Sequence, residues 1–106
     1  SENLISLIMT QIAENKAINA VFADIFDPDG SELYLKPAGQ YVQLDTQVNF
    51  YTVIESAARR GEVAIGYRLK ALAGDAANAY GVILNPDKTA LISFSPEDRI
   101  IVLAEN

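Results

Sequence analysis

The sequence contains neither cysteine nor histidine, and these two absences exclude several classes of chemistry. Without cysteine the chain forms no disulfide, holds no thiolate zinc site and has no thiol nucleophile. Without histidine, neither a Ser-His-Asp nor a Cys-His catalytic group can be assembled. The motifs G-x-G-x-x-G, the P-loop and G-x-S-x-G are also missing. We therefore expect a protein that is not an enzyme and that binds no cofactor.

Basic residues and long apolar runs are also scarce. Eight Lys and Arg residues against fourteen Asp and Glu residues give a net charge of −6. Nucleic acids and anionic lipid surfaces bind through basic patches, so we expect neither of these partners. No apolar run approaches the ~18 residues of a membrane span, and no signal-peptide pattern is present. The composition thus predicts no direct membrane insertion, and the acidic surface favours cations over anions.

Half of the 106 residues are hydrophobic, which predicts one folded domain with a substantial core. Apolar residues at helical spacing predict a helix over residues 4–15. Residues 19–26 read as a strand, with Val21 and Ile25 on one face and Phe22 and Phe26 on the other. The turn signal at 27–30 then predicts a hairpin that returns along a strand over residues 32–36.

The middle of the chain carries the clearest helix signal. Apolar residues recur at helical spacing over 49–60, with Asn49 as a predicted N-cap and Gly61 as the residue that ends the helix. Strands are predicted over 62–69, 81–84, 90–94 and 99–104, joined by a connector over 70–80. The Asp98 carboxylate, just before the last strand, is expected to accept backbone N–H bonds. This order does not alternate strand and helix regularly, so an α+β fold is favoured.

One segment, Asp27-Pro-Asp-Gly-Ser-Glu32, carries oxygen ligands at close spacing. Asp27, Asp29 and Glu32 are the candidate metal ligands, because hard cations prefer carboxylate oxygens. An EF-hand loop needs twelve residues and flanking helices, so the alternative interpretation is a plain hairpin turn. Farther along, Arg68 and Lys70 leave a strand together and either contact an anion or remain solvated.

Four segments carry a family resemblance, and they occur in the family's order: ELYLKP (Glu32–Pro37), AARRGEVAIGYR (Ala57–Arg68), GVILNPDK (Gly81–Lys88) and SPEDRIIVLAE (Ser95–Glu105). They resemble the C-terminal, TrkA-C-like subdomain of RCK modules, as found in CASTOR/POLLUX-type ion channels and their bacterial relatives. The family usually has Gly-Asp before the last strand, whereas this chain has Glu97-Asp98. If that turn requires φ > 0, Glu97 adopts it at a cost in free energy.

The resemblance implies a small α+β domain with a mainly antiparallel or mixed sheet and two helices. Residues 1–106 would form a single RCK C-terminal-like regulatory subdomain, with an N-terminal helix and strand over 1–31 and the TrkA-C-like part over 32–106. It implies a regulatory and assembly role in a potassium-type ion channel, with ligand or cation sensing and without catalysis. The expected location is the cytoplasmic face of the membrane, as a soluble domain of a larger membrane protein.

The resemblance also implies partners. The subdomain would self-associate within a channel ring and contact an upstream Rossmann-type RCK subdomain and the membrane pore of the full-length chain. Two alternatives remain open from the sequence. One is a ligand-binding regulatory domain of a cation transporter. The other is a small carboxylate-dependent enzyme that uses Asp24 and Glu32, which requires a cleft joining these two groups.

Overall fold

The computed structural model describes residues 2–105, and within them the chain forms α-helices, short 3-10 helices and strands in an α+β arrangement. The α-helices are α1 (Glu2–Glu14), α2 (Lys16–Ile25) and α3 (Phe50–Ala58). The strands are β1 (Ser31–Pro37), β2 (Gln47–Val48), β3 (Val63–Arg68), β4 (Val82–Leu84), β5 (Ile92–Ser93) and β6 (Arg99–Glu105). The 3-10 helices span Ala38–Gln40, Lys70–Leu72 and Ala76–Gly81.

A four-stranded antiparallel sheet with the strand order β1-β6-β3-β4 forms the centre of the fold. Strand β6 lies inside this sheet and pairs along its length with β1, so that Tyr34 lies opposite Val102. Residues 100–104 are all buried, because helices or loops cover both faces of the sheet. This explains why β6 reads as a continuous apolar run without the alternation of a half-exposed strand. A separate two-stranded sheet joins β2 to β5.

The core has two parts, one on each face of the sheet. On one face, α3 and residues 38–44 cover the sheet. The centre of this part of the core is formed by Val53 of α3, Val102 of β6 and Phe94, each with no exposed surface. On the other face, α1 and α2 pack against β1, β3, β4 and β6, with Ile8 and Ile101 fully buried. The helices α1 and α2 therefore form a layer opposite to α3.

A bulge in β3 determines which of the side chains of this strand point to each face of the sheet. Ala64 lies opposite Val102 and Gly66 lies opposite Ile101, which leaves Ile65 as an extra residue. The bulge places Ala64 and Tyr67 on the α3 side, while Ile65 packs on the side of α1 and α2. A Cβ atom at Gly66 would lie 2.2 Å from the carbonyl oxygen of Ile83, so only glycine fits there.

The predicted helices over 4–15 and 49–60 are confirmed, with their ends close to the expected residues. The Asn49 side chain accepts from the backbone N–H of Thr52 and caps α3, and Gly61 adopts φ +73° just beyond the helix. The strands predicted over 62–69, 81–84, 90–94 and 99–104 also form. Glu97 is absent from the residues with positive φ, so the turn before β6 does not carry the expected strain.

The strand predicted over residues 19–26 is wrong, because residues 16–25 form α2. Ile18, Phe22 and Ile25 recur at helical spacing, and the Asn15 side chain caps the helix by accepting from the N–H of Ile18 at 3.0 Å. The predicted hairpin is wrong for the same reason, since β1 pairs with β6 and not with residues 19–26. The N-terminal 31 residues thus contribute two α-helices, and the described chain has three α-helices where two were expected.

Candidate functional site

The acidic segment 27–32 forms a turn that Asp27 organises with its own oxygens. The Asp27 Oδ1 atom accepts from the backbone N–H of Asp29 at 2.9 Å, and its carbonyl oxygen accepts from the N–H of Ser31 at 2.7 Å. The backbone N–H of Asp27 donates to Ser31 Oγ at 3.0 Å. These bonds stabilise the connection between α2 and β1, and they use oxygen atoms that the cation hypothesis assigned as ligands.

Glu32 projects from β1 and accepts the Tyr34 hydroxyl hydrogen bond at 2.9 Å. Across residues 3–105, no three acidic side chains come together in an arrangement that could hold a metal ion. Asp27 and Asp29 share the turn, whereas Asp24, which the enzyme hypothesis pairs with Glu32, lies on α2. Cation binding at Asp27, Asp29 and Glu32 stays a prediction.

Glu62 is a buried carboxylate, whose side chain is 6% exposed where α3 joins β3. The Lys36 ammonium of β1 donates to Glu62 Oε2. The Tyr41 hydroxyl donates to Glu62 Oε1 at 2.6 Å, and the Arg60 guanidinium lies 4.8 Å from the centre of the Tyr41 ring. These four side chains, here called the Glu62 network, link β1, the loop after it and the end of α3.

The Glu62 network explains how a carboxylate stays charged inside the fold. Burial by itself raises the pKa of Glu62, but the hydrogen bonds from Lys36 and Tyr41 and the charges of Lys36 and Arg60 lower it below its ordinary value. Burial and the adjacent carboxylate raise the pKa of the Tyr41 hydroxyl, which therefore remains a donor. The arrangement holds charges in fixed positions and presents no activated nucleophile.

Asp98 is the second buried carboxylate, and it is 5% exposed. Its Oδ2 atom accepts from the N–H of Ser95 at 2.7 Å, and its Oδ1 atom accepts from the N–H of Lys70 at 2.8 Å. Its backbone carbonyl accepts from the N–H of Ala38 at 2.9 Å. The predicted role of Asp98 as an acceptor of backbone N–H bonds is confirmed. The residue joins three loops that are distant in the sequence, at the same edge of the sheet.

Arg68 holds the connector after β3 in place. Its guanidinium donates to the carbonyl oxygens of Tyr80 at 3.0 Å and Ala73 at 3.4 Å. The connector includes Ala79 and Tyr80 in the left-handed region, with φ values of 52° and 54°. These hydrogen bonds account for Arg68 without an anion, and Lys70 contributes to the Asp98 contact through its backbone.

The Glu62 network could not be identified from the sequence, because no spacing connects residues 36, 41 and 62. Its only sequence signal is an isolated glutamate between the glycine that ends α3 and an apolar strand. The structure brings the network together by pairing β1 and β3 with opposite edges of β6. No helix formed by residues 2–105 is long and apolar enough to cross a bilayer, and α1, at 13 residues, falls short of the required length.

The fold and these sites define a small α+β module in which buried carboxylates hold loops and strand edges together. The chain matches no protein-family model. It is 35% identical over 107 residues to "Probable ion channel POLLUX" of Arabidopsis thaliana, and 34% identical over 105 residues to "Probable ion channel CASTOR" of Oryza sativa subsp. japonica. It is 32% identical over 106 residues to "Ion channel CASTOR" of Lotus japonicus. Each match covers 99–100% of this chain.

The predicted resemblance is therefore confirmed: the chain is related to a segment of the CASTOR/POLLUX ion channels. It spans about 11–12% of the length of these curated relatives, so most of each channel lies outside the matched segment. The relatives are named as ion channels and not as enzymes.

Proposed function

We propose that this chain is a regulatory and assembly module of a CASTOR/POLLUX-type ion channel, that it is not catalytic, and that it lies on the cytoplasmic side of the membrane. The observation that carries the proposal is the match over the whole chain to three ion channels that are each about eight to nine times longer. Because residues 2–105 contain no membrane-spanning helix, a role beside the pore fits this segment better than a role within it.

The internal contacts support a regulatory role physically. A module transmits a change in packing only if its loops and strands move together as one unit. The Glu62 network joins β1 and the loop after it to the end of α3, and Asp98 joins that same loop to the loops after β3 and before β6. A ligand or subunit that prefers one arrangement of such a unit would shift the populations of the channel's states.

The proposal includes the RCK-like partners that the sequence resemblance implies. These are other copies of the same module in a channel ring, an upstream Rossmann-type subdomain and a membrane pore. The alternative of a regulatory domain in a cation transporter gains no support from the relatives, whose names are those of ion channels. The carboxylate-dependent enzyme that would use Asp24 and Glu32 is not favoured either, because the relatives are named as ion channels and the Glu32 carboxylate accepts the Tyr34 hydroxyl hydrogen bond.

The test replaces the corresponding segment of the Lotus japonicus CASTOR channel with this chain and measures ion flux in proteoliposomes. The proposal predicts that the chimera assembles and conducts, whereas a channel without the segment loses regulated flux. Equal amounts of reconstituted protein are verified first. A segment-deleted channel with the assembly and flux of the intact channel would contradict the proposal.

A further inference from the structure

Helix α2 is amphipathic, yet none of its residues is buried. Its apolar side chains Ile18, Phe22 and Ile25 are only partly covered, and Val21 is 60% exposed. An amphipathic helix in a folded domain normally buries its apolar face against the core. Here part of that face borders a cavity of about 200 Å³, which lies between α2, the start of α3 and the start of β3.

The walls of this cavity are apolar and partly aromatic. Phe22 of α2 lies on one side, and Phe50 and Ile54 of α3 lie on the other, with Ile65 of β3 between them. The cavity forms where β4 ends at Leu84, so that the first residues of β3 have no strand beside them on that edge. The two parts of the core meet at this edge without filling it.

The polar groups at the cavity are confined to one short segment. Asn85 and Lys88 line it, and the Lys88 ammonium donates to Asn85 Oδ1 at 3.1 Å. Within the part of the chain that the structure describes, Lys88 forms no ion pair with a carboxylate. The neighbouring Asp87 carboxylate instead accepts from the backbone N–H of Thr89 at 2.9 Å and from its hydroxyl at 2.8 Å.

We propose that this cavity binds a small amphipathic carboxylate, with its apolar body between α2 and α3 and its carboxylate at Lys88. The size fits one aromatic ring or a short acyl chain, since an apolar cavity of about 150 Å³ binds benzene and drug-sized ligands need about 300 Å³ or more. The two phenylalanine rings suit an aromatic body. The inference goes beyond the proposed channel role and does not depend on it.

The probe is 3-phenylpropanoate, and the uncharged analogue 3-phenylpropan-1-ol, which has the same carbon skeleton, is the ligand control. The 106-residue chain, labelled at its Ile and Val methyl groups, is titrated with each compound at fixed ionic strength. We expect saturable binding of the acid with a dissociation constant of about 1 mM, and tighter than that of the alcohol. Intermolecular NOEs should join the phenyl ring to methyl groups of Ile18, Ile54 and Ile65.

Two variants test the assignment of the charge. Lys88→Gln should weaken binding of the acid about fivefold and leave that of the alcohol unchanged, as expected for a partly exposed ion pair. Lys16→Gln removes a lysine that does not line the cavity and should change neither affinity. Circular dichroism and the methyl spectrum establish that each variant is folded.

Several results would overturn the inference. One is the absence of saturation up to about 10 mM acid, and another is a set of NOEs to methyl groups elsewhere in the fold. Equal affinities for the acid and the alcohol would show that Lys88 does not bind the carboxylate. If the cavity methyl signals change with protein concentration and the acid does not compete, a second copy of the chain occupies the cavity and the ligand assignment is wrong.

Discussion

At the scale of single residues, two buried carboxylates determine how the loops are held. Glu62 and Asp98 are 7% and 5% exposed, and each accepts hydrogen bonds from segments far away in the sequence. A buried carboxylate is tolerated only when it is paired or fully hydrogen-bonded. Both residues meet this condition, and no buried side-chain polar atom in residues 3–105 lacks a partner.

Glu62→Gln should destabilise the domain by about 2 kcal/mol at pH 7, because the partly buried Lys36 ammonium loses its charged hydrogen-bond acceptor. Urea unfolding followed by circular dichroism measures this change. The exposed glutamate of the Glu55–Arg59 pair gives the matched control, and Glu55→Gln should cost about 0.5 kcal/mol or less. Equal losses for the two variants would show that the Glu62 network contributes no more than a surface pair.

The lowered pKa of Glu62 predicts that its contribution to the free energy of unfolding depends on pH. The pKa of Glu62 is lower in the folded state than its ordinary value of 4.5, so the unfolded chain takes up the proton first as the pH falls. The contribution of Glu62 is thus complete above that value and is lost as the pH falls through the folded pKa. The difference in unfolding free energy between the wild type and Glu62→Gln should therefore shrink as the pH falls from about 6 through the folded pKa. A constant difference over this range would contradict the lowered pKa.

At the scale of helices and strands, the sequence identified elements with clear ends and failed where the pattern was ambiguous. Helix α3 was predictable because Asn49 and Gly61 mark its two ends, and β6 because residues 100–104 are all apolar. Residues 19–26 have apolar side chains that fit both the alternation of a strand and the spacing of a helix, so this short segment matches two periods. The Asn15 cap, which decides in favour of a helix, was not recognised.

The pairing of the strands is harder to predict from the sequence than the strands themselves. Residues 31–37 pair with residues 99–105, so this contact joins segments that are more than 60 residues apart in the sequence. No local turn specifies that register, and the hairpin predicted from the 27–30 turn was the wrong partner. The Glu62 network depends on the same long-range pairing, which is why a reading of sequence spacing could not find it.

Helix α2 should be the least stable helix, because none of its residues is buried. Asn15→Ala removes the hydrogen bond to the N–H of Ile18 and should lower the stability of α2 by about 1 kcal/mol. Amide hydrogen exchange should then accelerate throughout α2, while the amides of β6 change little. Acceleration that is equal in α2 and β6 would mean that α2 unfolds only together with the whole domain.

At the scale of the whole molecule, packing is tight on the α3 face around Phe94, Val53 and Val102. It is incomplete at the edge of the sheet where α2 approaches the start of α3, because a cavity remains between these two helices. Exposed apolar side chains remain on several elements: Met9, Val21, Tyr51, Val63, Tyr80 and Leu91. Such groups are commonly covered by other protein surfaces in an assembly.

We expect the isolated chain to self-associate, as a module of a channel ring would. Sedimentation equilibrium should show a concentration-dependent average mass above that of the monomer at about 100 µM. Val21→Asp places a charge on the exposed face of α2 and should shift the equilibrium toward the monomer if that face takes part. A mass equal to that of the monomer throughout this range would count against assembly through this module.

The central claim, that the chain regulates a pore without forming it, is tested most directly by single-channel recording of the Lotus japonicus CASTOR chimera. Asp98→Asn weakens the side-chain contact between the loop after β3 and the loop before β6, and Glu97→Gln changes the exposed neighbour as a control. The account predicts that Asp98→Asn changes the open probability, that Glu97→Gln does not, and that the unitary conductance stays the same in both. An altered unitary conductance, or an open probability that neither substitution changes, would contradict it.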